Sequence, residues 1–142
     1  LLRWQLDRLI PEYLYSARQG ATDSEVIFLL MIANGLEIDP EKAIIDTLSQ
    51  ILALMESKGI TEAFRFTAVL SDGEEMLAIR FSSDDKAPSL FCKTFDDHIV
   101  IGSEPLEFSG KDWVLIPAGH IARIKNNTYK SAPLPDFLEI NA

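Results

Sequence analysis

The polar segment Thr22-Asp23-Ser24-Glu25 runs directly into an apolar stretch and has the residue types to start a helix or to bind a ligand. Thr22 and Glu25 have the spacing of a capping box: the Thr22 hydroxyl accepts from the N–H of Glu25, and the Glu25 carboxylate accepts from the N–H of Thr22. Asp23 lies in the first turn, where the helix dipole favours a negative charge. Capping needs only Thr22 and Glu25, so Asp23 serves either the dipole alone or a substrate ammonium group.

Cys92 and His98 form a second candidate, as nucleophile and base, with Asp96 or Asp97 orienting the imidazole. The residues around Cys92 have a strand pattern, in which a cysteine serves as a small core hydrophobe. The two aspartates are typical of turns. We favour the core interpretation, because an isolated cysteine and histidine make a weak motif.

Metal, phosphate and paired-carboxylate sites have little support. A metal site would need His98, His120 and a carboxylate from distant turns, and no ligand spacing recurs, so neither a metal nor a cofactor is predicted. The segment around Asp72-Gly73 lacks the glycines and the lysine of a phosphate-binding loop. Acidic residues are plentiful enough for a glycosidase pair, yet no feature selects two of them.

Composition limits the partners. The chain has 142 residues, a formal net charge of −9 and one cysteine. This length predicts a single domain over residues 1–142. The negative charge argues against nucleic-acid and anionic-membrane partners, and the longest apolar run, Val26 to Ala33, is too short to span a bilayer. The lone cysteine fits a reducing compartment, so a cytoplasmic location is predicted.

Helices are predicted in the first half of the chain. Residues 2–10 have helical spacing, with Leu2, Leu6, Leu9 and Ile10 facing inward. Pro11 ends or kinks this helix, and another turn or two precede Gly20. The next helix is predicted from about Asp23 to Asn34. A longer one starts at the N-cap Asp39 and ends before Gly59, with an apolar face of Ala43, Ile44, Thr47, Ile51, Leu54 and Met55.

Strands are predicted after Gly59, where the apolar period changes to two. Asp72-Gly73 predicts a hairpin, with Phe64, Phe66, Ala68 and Leu70 on one face, joined by either Met76 and Ala78 or Leu77 and Ile79. Further strands are predicted at Leu90–Lys93, Ile99–Ser103, Trp113–Ile116 and Ile121–Lys125. The proline-containing tail is irregular or an edge segment. Helices followed by antiparallel strands predict an α+β layered fold.

Four segments carry a family resemblance. The stretches GATDSEVIFLLMI, FTAVLSDGEEMLAIRF, IVIGSEPL and WVLIPAGHIARI, in this order, resemble the class II glutamine amidotransferases, and most closely the small bacterial stand-alone type. The similarity covers nearly the whole chain, and the Thr-Asp-Ser-Glu and Ser-Glu-Pro-Leu motifs are its most specific parts. The resemblance implies an N-terminal-nucleophile hydrolase-like fold, a layered αββα sandwich of antiparallel sheets and helices, present here only in part.

The resemblance also implies a mechanism. In that family an N-terminal cysteine attacks the side-chain amide of glutamine, with its own α-amino group as base, and forms a glutamyl thioester and ammonia. An Asn-Gly pair supplies the oxyanion hole, an arginine holds the substrate carboxylate, and the motif aspartate binds the substrate α-amino group. That aspartate corresponds to Asp23. Asn34-Gly35 lies at the wrong end of its helix to replace the Asn-Gly pair, Cys92 is internal, and Glu104 is assigned only a structural role.

The chain is therefore expected to be the C-terminal part of a longer protein, because it lacks an initiator Met and begins within a helical pattern. The complete protein would hydrolyse glutamine or a γ-glutamyl amide, while these 142 residues, which contain no catalytic residue of the family, would be inactive. The expected partners are that substrate and the missing N-terminal part. Exposed apolar strand faces would favour a homo-oligomer. The alternative is a non-catalytic amino-acid-binding or regulatory domain of the same fold.

Overall fold

The described residues form two compact units. A computed structural model of the chain describes residues 2–107, 110–135 and 137. The first unit contains the described residues up to Glu62 together with Pro135 and Phe137, and the second spans Ala63–Leu134. The first is built on helices and the second on antiparallel strands, which confirms the predicted α+β class. Among the described residues, no helix combines the length and the apolarity needed to cross a membrane.

The helices of the first unit are α1 (Leu2–Asp7), α2 (Glu12–Tyr15), α3 (Asp23–Ala33) and α4 (Pro40–Ser57). Helix α1 is shorter than the predicted residues 2–10. The N–H groups of Leu9 and Ile10 donate to carbonyls three residues earlier, and Ile10 precedes a proline, which disfavours helical geometry there. Leu6 and Ile10 are buried as predicted, but Leu9 is 39% exposed, so its inward placement is wrong.

Helix α4 follows the predicted start and stop signals. Asp39 caps it by accepting from the N–H of Lys42 at 3.1 Å, and Gly59 follows its end with φ of +63°. Leu48 is fully buried although it was not in the predicted apolar face, whereas Leu54 is only half-buried. Five of the six predicted residues are therefore buried, and Leu48 takes the place of Leu54 in the buried stripe: Ala43, Ile44, Thr47, Leu48, Ile51 and Met55.

A polar link joins the end of α3 to the middle of α4. The Asn34 side-chain N–H donates to the Thr47 hydroxyl at 2.9 Å, and that hydroxyl donates to the Ala43 carbonyl at 2.7 Å. Asn34 also exchanges hydrogen bonds with the Gln50 amide. Thr47 is fully buried, so these bonds satisfy a hydroxyl that burial would otherwise leave without water. Asn34 therefore serves helix packing.

The strands of the second unit form two antiparallel sheets. They are β1 (Arg65–Ser71), β2 (Glu75–Ser82), β3 (Phe91–Thr94), β4 (Ile99–Gly102), β5 (Val114–Leu115), β6 (His120–Lys125) and β7 (Thr128–Pro133). One sheet has the order β1-β2-β6-β7 and the other β4-β3-β5. The predicted strands are confirmed to within one or two residues at each end. The start of the proline-containing tail, residues 129–133, lies in the edge strand β7, which was one of the two interpretations of the tail; residues 136 and 138–142 of the tail lie outside the described residues.

The Asp72-Gly73 hairpin sets the register of β1 and β2. Gly73 has φ of +93°, and the Asp72 carboxylate accepts from the N–H groups of Glu74 and Glu75 at 2.9 and 2.8 Å. These bonds hold the pKa of Asp72 below its usual range. The pairing places Leu70 opposite Leu77, Ala68 opposite Ile79 and Phe66 opposite Phe81. Leu77 and Ile79, not Met76 and Ala78, therefore share the face of Leu70.

The two sheets share one apolar core. Ala78, Ala122 and Ile124 of the four-stranded sheet pack in a cluster with Cys92 of the three-stranded sheet, together with Leu90 and Ile116. Alternation brings every second residue of these strands to the same face, so each sheet supplies small or branched side chains to the cluster. The second unit is thus a pair of stacked sheets. The αββα arrangement implied by the family resemblance stays a prediction.

Candidate functional site

Thr22 caps helix α3 as the sequence predicts. Its backbone is extended, with φ −95° and ψ 151°, and its hydroxyl oxygen accepts from the N–H of Glu25 at 3.3 Å. The Ser24 hydroxyl donates to the same oxygen at 3.1 Å. This half of the predicted capping box is confirmed, and it occupies the polar groups of both Thr22 and Ser24.

For the other half of the capping box, the predicted donor is wrong. The Glu25 carboxylate accepts from the N–H of Gln19 at 2.7 Å and from the N–H of Gly20 at 2.9 and 3.1 Å, instead of from Thr22. The chain before the helix folds back over the first turn, which brings these earlier N–H groups within reach. The side chain of Glu25 thus binds the loop that leads into the helix. Sequence spacing cannot reveal this fold-back.

Gly20 lies in close contact with Glu25. A Cβ atom built on Gly20 would lie 3.1 Å from Glu25 Oε2, tighter than an ordinary van der Waals contact. The Gly20 φ is not in the left-handed region, so the backbone conformation does not require a glycine here. The close approach of Glu25 does, because it leaves little room for a Cβ atom. The sequence signal was present, since a glycine precedes the motif, but it was interpreted only as the end of the preceding element.

Arg18 fixes the same loop from the other side. Its Nη1 lies 2.9 Å from Asp7 Oδ1, with both side chains less than 20% exposed, and its Nε donates to the Gly20 carbonyl at 3.3 Å. The hydrogen bond with Asp7 raises the pKa of Arg18. The Gly20 N–H and carbonyl groups are therefore both engaged. Neither contact was predicted from the sequence.

Asp23 is the polar residue at the start of α3 whose side chain takes no part in the capping hydrogen bonds. Its side chain is 69% exposed, and Oδ1 lies 3.9 Å from Nε of Arg3, on α1. Within the part of the chain that the structure describes, its carboxylate makes this long ion pair and no hydrogen bond. Asp23 is thus an accessible carboxylate at a helix N-terminus, where the first turn holds its backbone.

Two clefts of the first unit are lined by described residues other than Asp23. They have volumes of about 440 and 470 Å³; Trp4 and Arg8 line both, with Lys58 in the smaller cleft and residues of α2 in the larger. Asp23 therefore offers a single anionic contact on an open surface of this unit. A ligand held there needs further contacts from elsewhere.

Cys92 is a core residue. It is 2% exposed and lies in the cluster shared by the two sheets. Burial raises the pKa of its thiol, which disfavours the thiolate needed for nucleophilic attack. This agrees with the core interpretation that the sequence favoured.

His98 lies in a turn. Its Nδ1 is 2.6 Å from Asp97 Oδ1, and its ring stacks on Phe95 with centroids 4.6 Å apart. The hydrogen bond with His98 holds the pKa of Asp97 below its usual range. Asp97 therefore orients His98, while the thiol that the pair would have to activate is in the apolar core.

The remaining candidates have structural surroundings. His120 Nδ1 lies 3.0 Å from the Ala118 carbonyl. No group of three His, Cys, Asp or Glu side chains among the described residues is arranged to hold a metal ion. Glu104 is exposed, and its carbonyl oxygen would lie 3.1 Å from a Cβ atom at Gly102. This close approach explains structurally why a glycine precedes the Ser-Glu-Pro-Leu turn.

Comparison with solved structures identifies a similar protein. A glutamine aminotransferase class-II domain protein from Silicibacter pomeroyi matches with a TM-score of 0.83 and 35% sequence identity, over 93% of this chain and 60% of that chain. This match confirms the resemblance carried by the sequence motifs. The chain thus spans 60% of the length of its structural relative. No protein-family model and no curated protein matches the sequence.

Proposed function

We propose that this chain is the substrate-ammonium-binding part of a class II glutamine amidotransferase. The complete protein hydrolyses the side-chain amide of glutamine, or a γ-glutamyl amide, through an N-terminal cysteine outside these residues. That cysteine forms a glutamyl thioester and releases ammonia. Asp23 binds the α-ammonium group of the substrate through a charge-assisted hydrogen bond. The 142 residues alone are inactive.

The proposal rests on the different contacts made by the four polar side chains at the start of α3. Thr22, Ser24 and Glu25 all use their side chains in local hydrogen bonds. Asp23 makes only a long ion pair within the described residues and is 69% exposed. A carboxylate placed in this way can accept from an ammonium group without losing a hydrogen bond.

The similarity to the solved structure supports the reaction class. That protein is described as having a glutamine aminotransferase class-II domain, and at 35% identity the likeness goes beyond a shared fold. Placing the nucleophile outside the chain agrees with the burial of Cys92. The proposed partners are the glutamine-type substrate and the remainder of the complete protein, in a cytoplasmic setting.

A second candidate function is non-catalytic binding of an amino acid. The accessible Asp23 and the buried Cys92 fit a domain that holds an ammonium group without cleaving an amide. Glutamine hydrolysis separates the two functions. The amidotransferase releases ammonia from glutamine as the complete protein, whereas the binding domain releases none.

The decisive variants are Asp23→Asn and Asp23→Ala in the complete protein. A charge-assisted hydrogen bond contributes about 1.5–3 kcal/mol, so KM for glutamine rises about ten- to a hundredfold while kcat changes less. Glu37→Gln, an exposed acid after α3, is the charge-matched control and leaves KM unchanged. An unchanged KM with lower thermal stability in the Asp23 variants would mean that Asp23 serves only the helix dipole.

A further inference from the structure

We propose that Glu25 is a positioning residue. Its carboxylate fixes the loop before α3 and so sets the direction in which Asp23 presents its own carboxylate to the substrate. This inference rests on the proposed role of Asp23. It gives the glutamate of the Thr-Asp-Ser-Glu motif a task other than capping and other than substrate contact.

The contacts of Glu25 have the geometry of a small anion nest. Oε1 accepts from Gln19 N at 2.7 Å and Oε2 from Gly20 N at 2.9 Å, so two consecutive backbone N–H groups converge on one carboxylate. Such bonds are charge-assisted and stronger than neutral ones. They connect the first turn of α3 to a loop five and six residues earlier in the chain.

Gly20 makes this connection sterically possible. Its missing Cβ would stand 3.1 Å from Oε2 and 3.7 Å from Cδ of Glu25. A larger residue would have to push the carboxylate away from the N–H groups that it accepts from. The glycine before the motif and the glutamate at its end therefore form one unit.

Arg18 completes the hold on the loop. It donates to the Gly20 carbonyl at 3.3 Å and pairs with Asp7 at 2.9 Å. With Glu25 on the N–H and Arg18 on the carbonyl, both peptide groups of Gly20 are fixed. The chain then enters the helix through Thr22, so the position of Asp23 follows from a constrained approach.

The position of Asp23 matters because its contact with the substrate is short-ranged. An ammonium–carboxylate bond weakens steeply when the atoms move apart or out of line. If Glu25 is lost, the loop is freed and Asp23 presents its carboxylate over a range of positions. Substrate binding weakens, while the chemistry at the N-terminal cysteine does not change.

The test measures KM and kcat for L-glutamine in the complete protein with Glu25→Ala and Glu25→Gln. We expect Glu25→Ala to raise KM by roughly tenfold with kcat within about twofold of the wild type. Glu25→Gln keeps one acceptor oxygen, so its KM should lie between that of the wild type and that of Glu25→Ala. Glu56→Gln, an exposed acid on α4, is the control and leaves both constants unchanged. A fall in kcat at constant KM would mean a structural role only.

A double-mutant cycle separates this inference from the proposed function. In an Asp23→Asn background, Glu25→Ala should raise KM no further, because Glu25 acts through Asp23. If Asp23→Asn raises KM and Glu25→Ala and Glu25→Gln do not, the positioning role is overturned and the proposed function stands. If Asp23→Asn leaves KM unchanged, the proposed function fails.

Gly20→Ala gives an independent check should Glu25→Ala fold poorly. It should raise KM in the wild type, raise it less in a Glu25→Gln background, where the contact is already weakened, and add nothing in a Glu25→Ala background. Hydrogen exchange of the Gln19 and Gly20 amides provides a readout that needs no turnover. Protection in the wild type and its decrease in Glu25→Gln support the hold on the loop, and unchanged protection overturns it even in an inactive protein.

Discussion

The guanidinium of Arg3 lies 3.9 Å from the carboxylate of Asp23 and so connects α1 to the first turn of α3. The Arg3 side chain is 39% exposed and that of Asp23 69%. Exposed ion pairs of this length are weak, typically about 0.2–1 kcal/mol. Arg3 thus pairs with Asp23 without holding it tightly, and the substrate ammonium group that we propose for Asp23 would have to displace it.

Arg3→Gln is therefore expected to strengthen glutamine binding by the complete protein. Removing a competitor worth about 0.2–1 kcal/mol lowers KM by roughly 1.4- to 5-fold. Steady-state kinetics at low ionic strength measure the change, and added salt should reduce it. Arg8→Gln removes an exposed charge from the same segment and serves as the control. A higher KM in Arg3→Gln would show that Arg3 assists the substrate instead of competing with it.

Cys92 is expected to be unreactive and dispensable for catalysis. Burial raises the pKa of its thiol, so less thiolate is present at neutral pH and labelling by a thiol reagent is slow until the chain unfolds. Cys92→Ala should keep glutamine hydrolysis in the complete protein and lower the free energy of unfolding by about 1 kcal/mol through lost packing. Loss of hydrolysis in a folded Cys92→Ala variant would contradict the placement of the nucleophile outside this chain.

Thr47 is expected to contribute to stability through its hydroxyl. Thr47→Val keeps the shape of the side chain but leaves the Asn34 amide without one acceptor in a partly buried setting. The expected loss is about 1–3 kcal/mol in the free energy of unfolding, measured by urea denaturation. Thr61→Val, at an exposed position of the same unit, should change it by no more than about 0.5 kcal/mol. Equal effects would mean that the link between Asn34 and Thr47 is not stabilising.

Asp84 should make the stability of the second unit depend on pH. Hydrogen bonds from Arg65 and Ser82 hold the pKa of the Asp84 carboxyl well below its usual range. An Asp in an unfolded chain titrates near about 3.9. The stabilisation is therefore fully present above that pH and is lost as the pH falls through the lower folded-state pKa.

Urea unfolding of the wild type and Asp84→Asn between pH 2 and pH 7 tests this expectation. The difference in free energy of unfolding should be constant near neutral pH and should shrink below about pH 4. Arg65→Gln removes the same pair and should behave alike. A difference that stays constant down to pH 2 would show that Asp84 is not stabilised as a carboxylate.

Local signals predicted the helices and the first hairpin. The N-caps Thr22 and Asp39 and the Asp72-Gly73 turn each act within a few residues, so the sequence contains all the groups that take part. The choice of Leu77 and Ile79 over Met76 and Ala78 needed the register of the pairing. The Asn126-Asn127 turn was missed as a signal, although both residues have positive φ and join β6 to β7.

Contacts between distant segments escaped prediction. Arg80 donates to the carbonyls of Ala87, Pro88 and Ile116, and no residue pattern distinguishes it from an ordinary exposed arginine. The same holds for Arg18 with Asp7 and for Arg3 with Asp23. A side chain that binds across the fold is identified only when the backbone brings its partner near.

The sequence by itself determined that Thr22 caps a helix, that Asp23 stands in its first turn, and that the strands after Gly59 pair antiparallel. These outcomes follow from the spacing of neighbouring residues. The tertiary structure decided that Glu25 binds the preceding loop and that Arg3 faces Asp23. The reason is physical: a capping bond closes within one helical turn, whereas the direction of a returning loop depends on the packing of α1 and the contacts of Arg18.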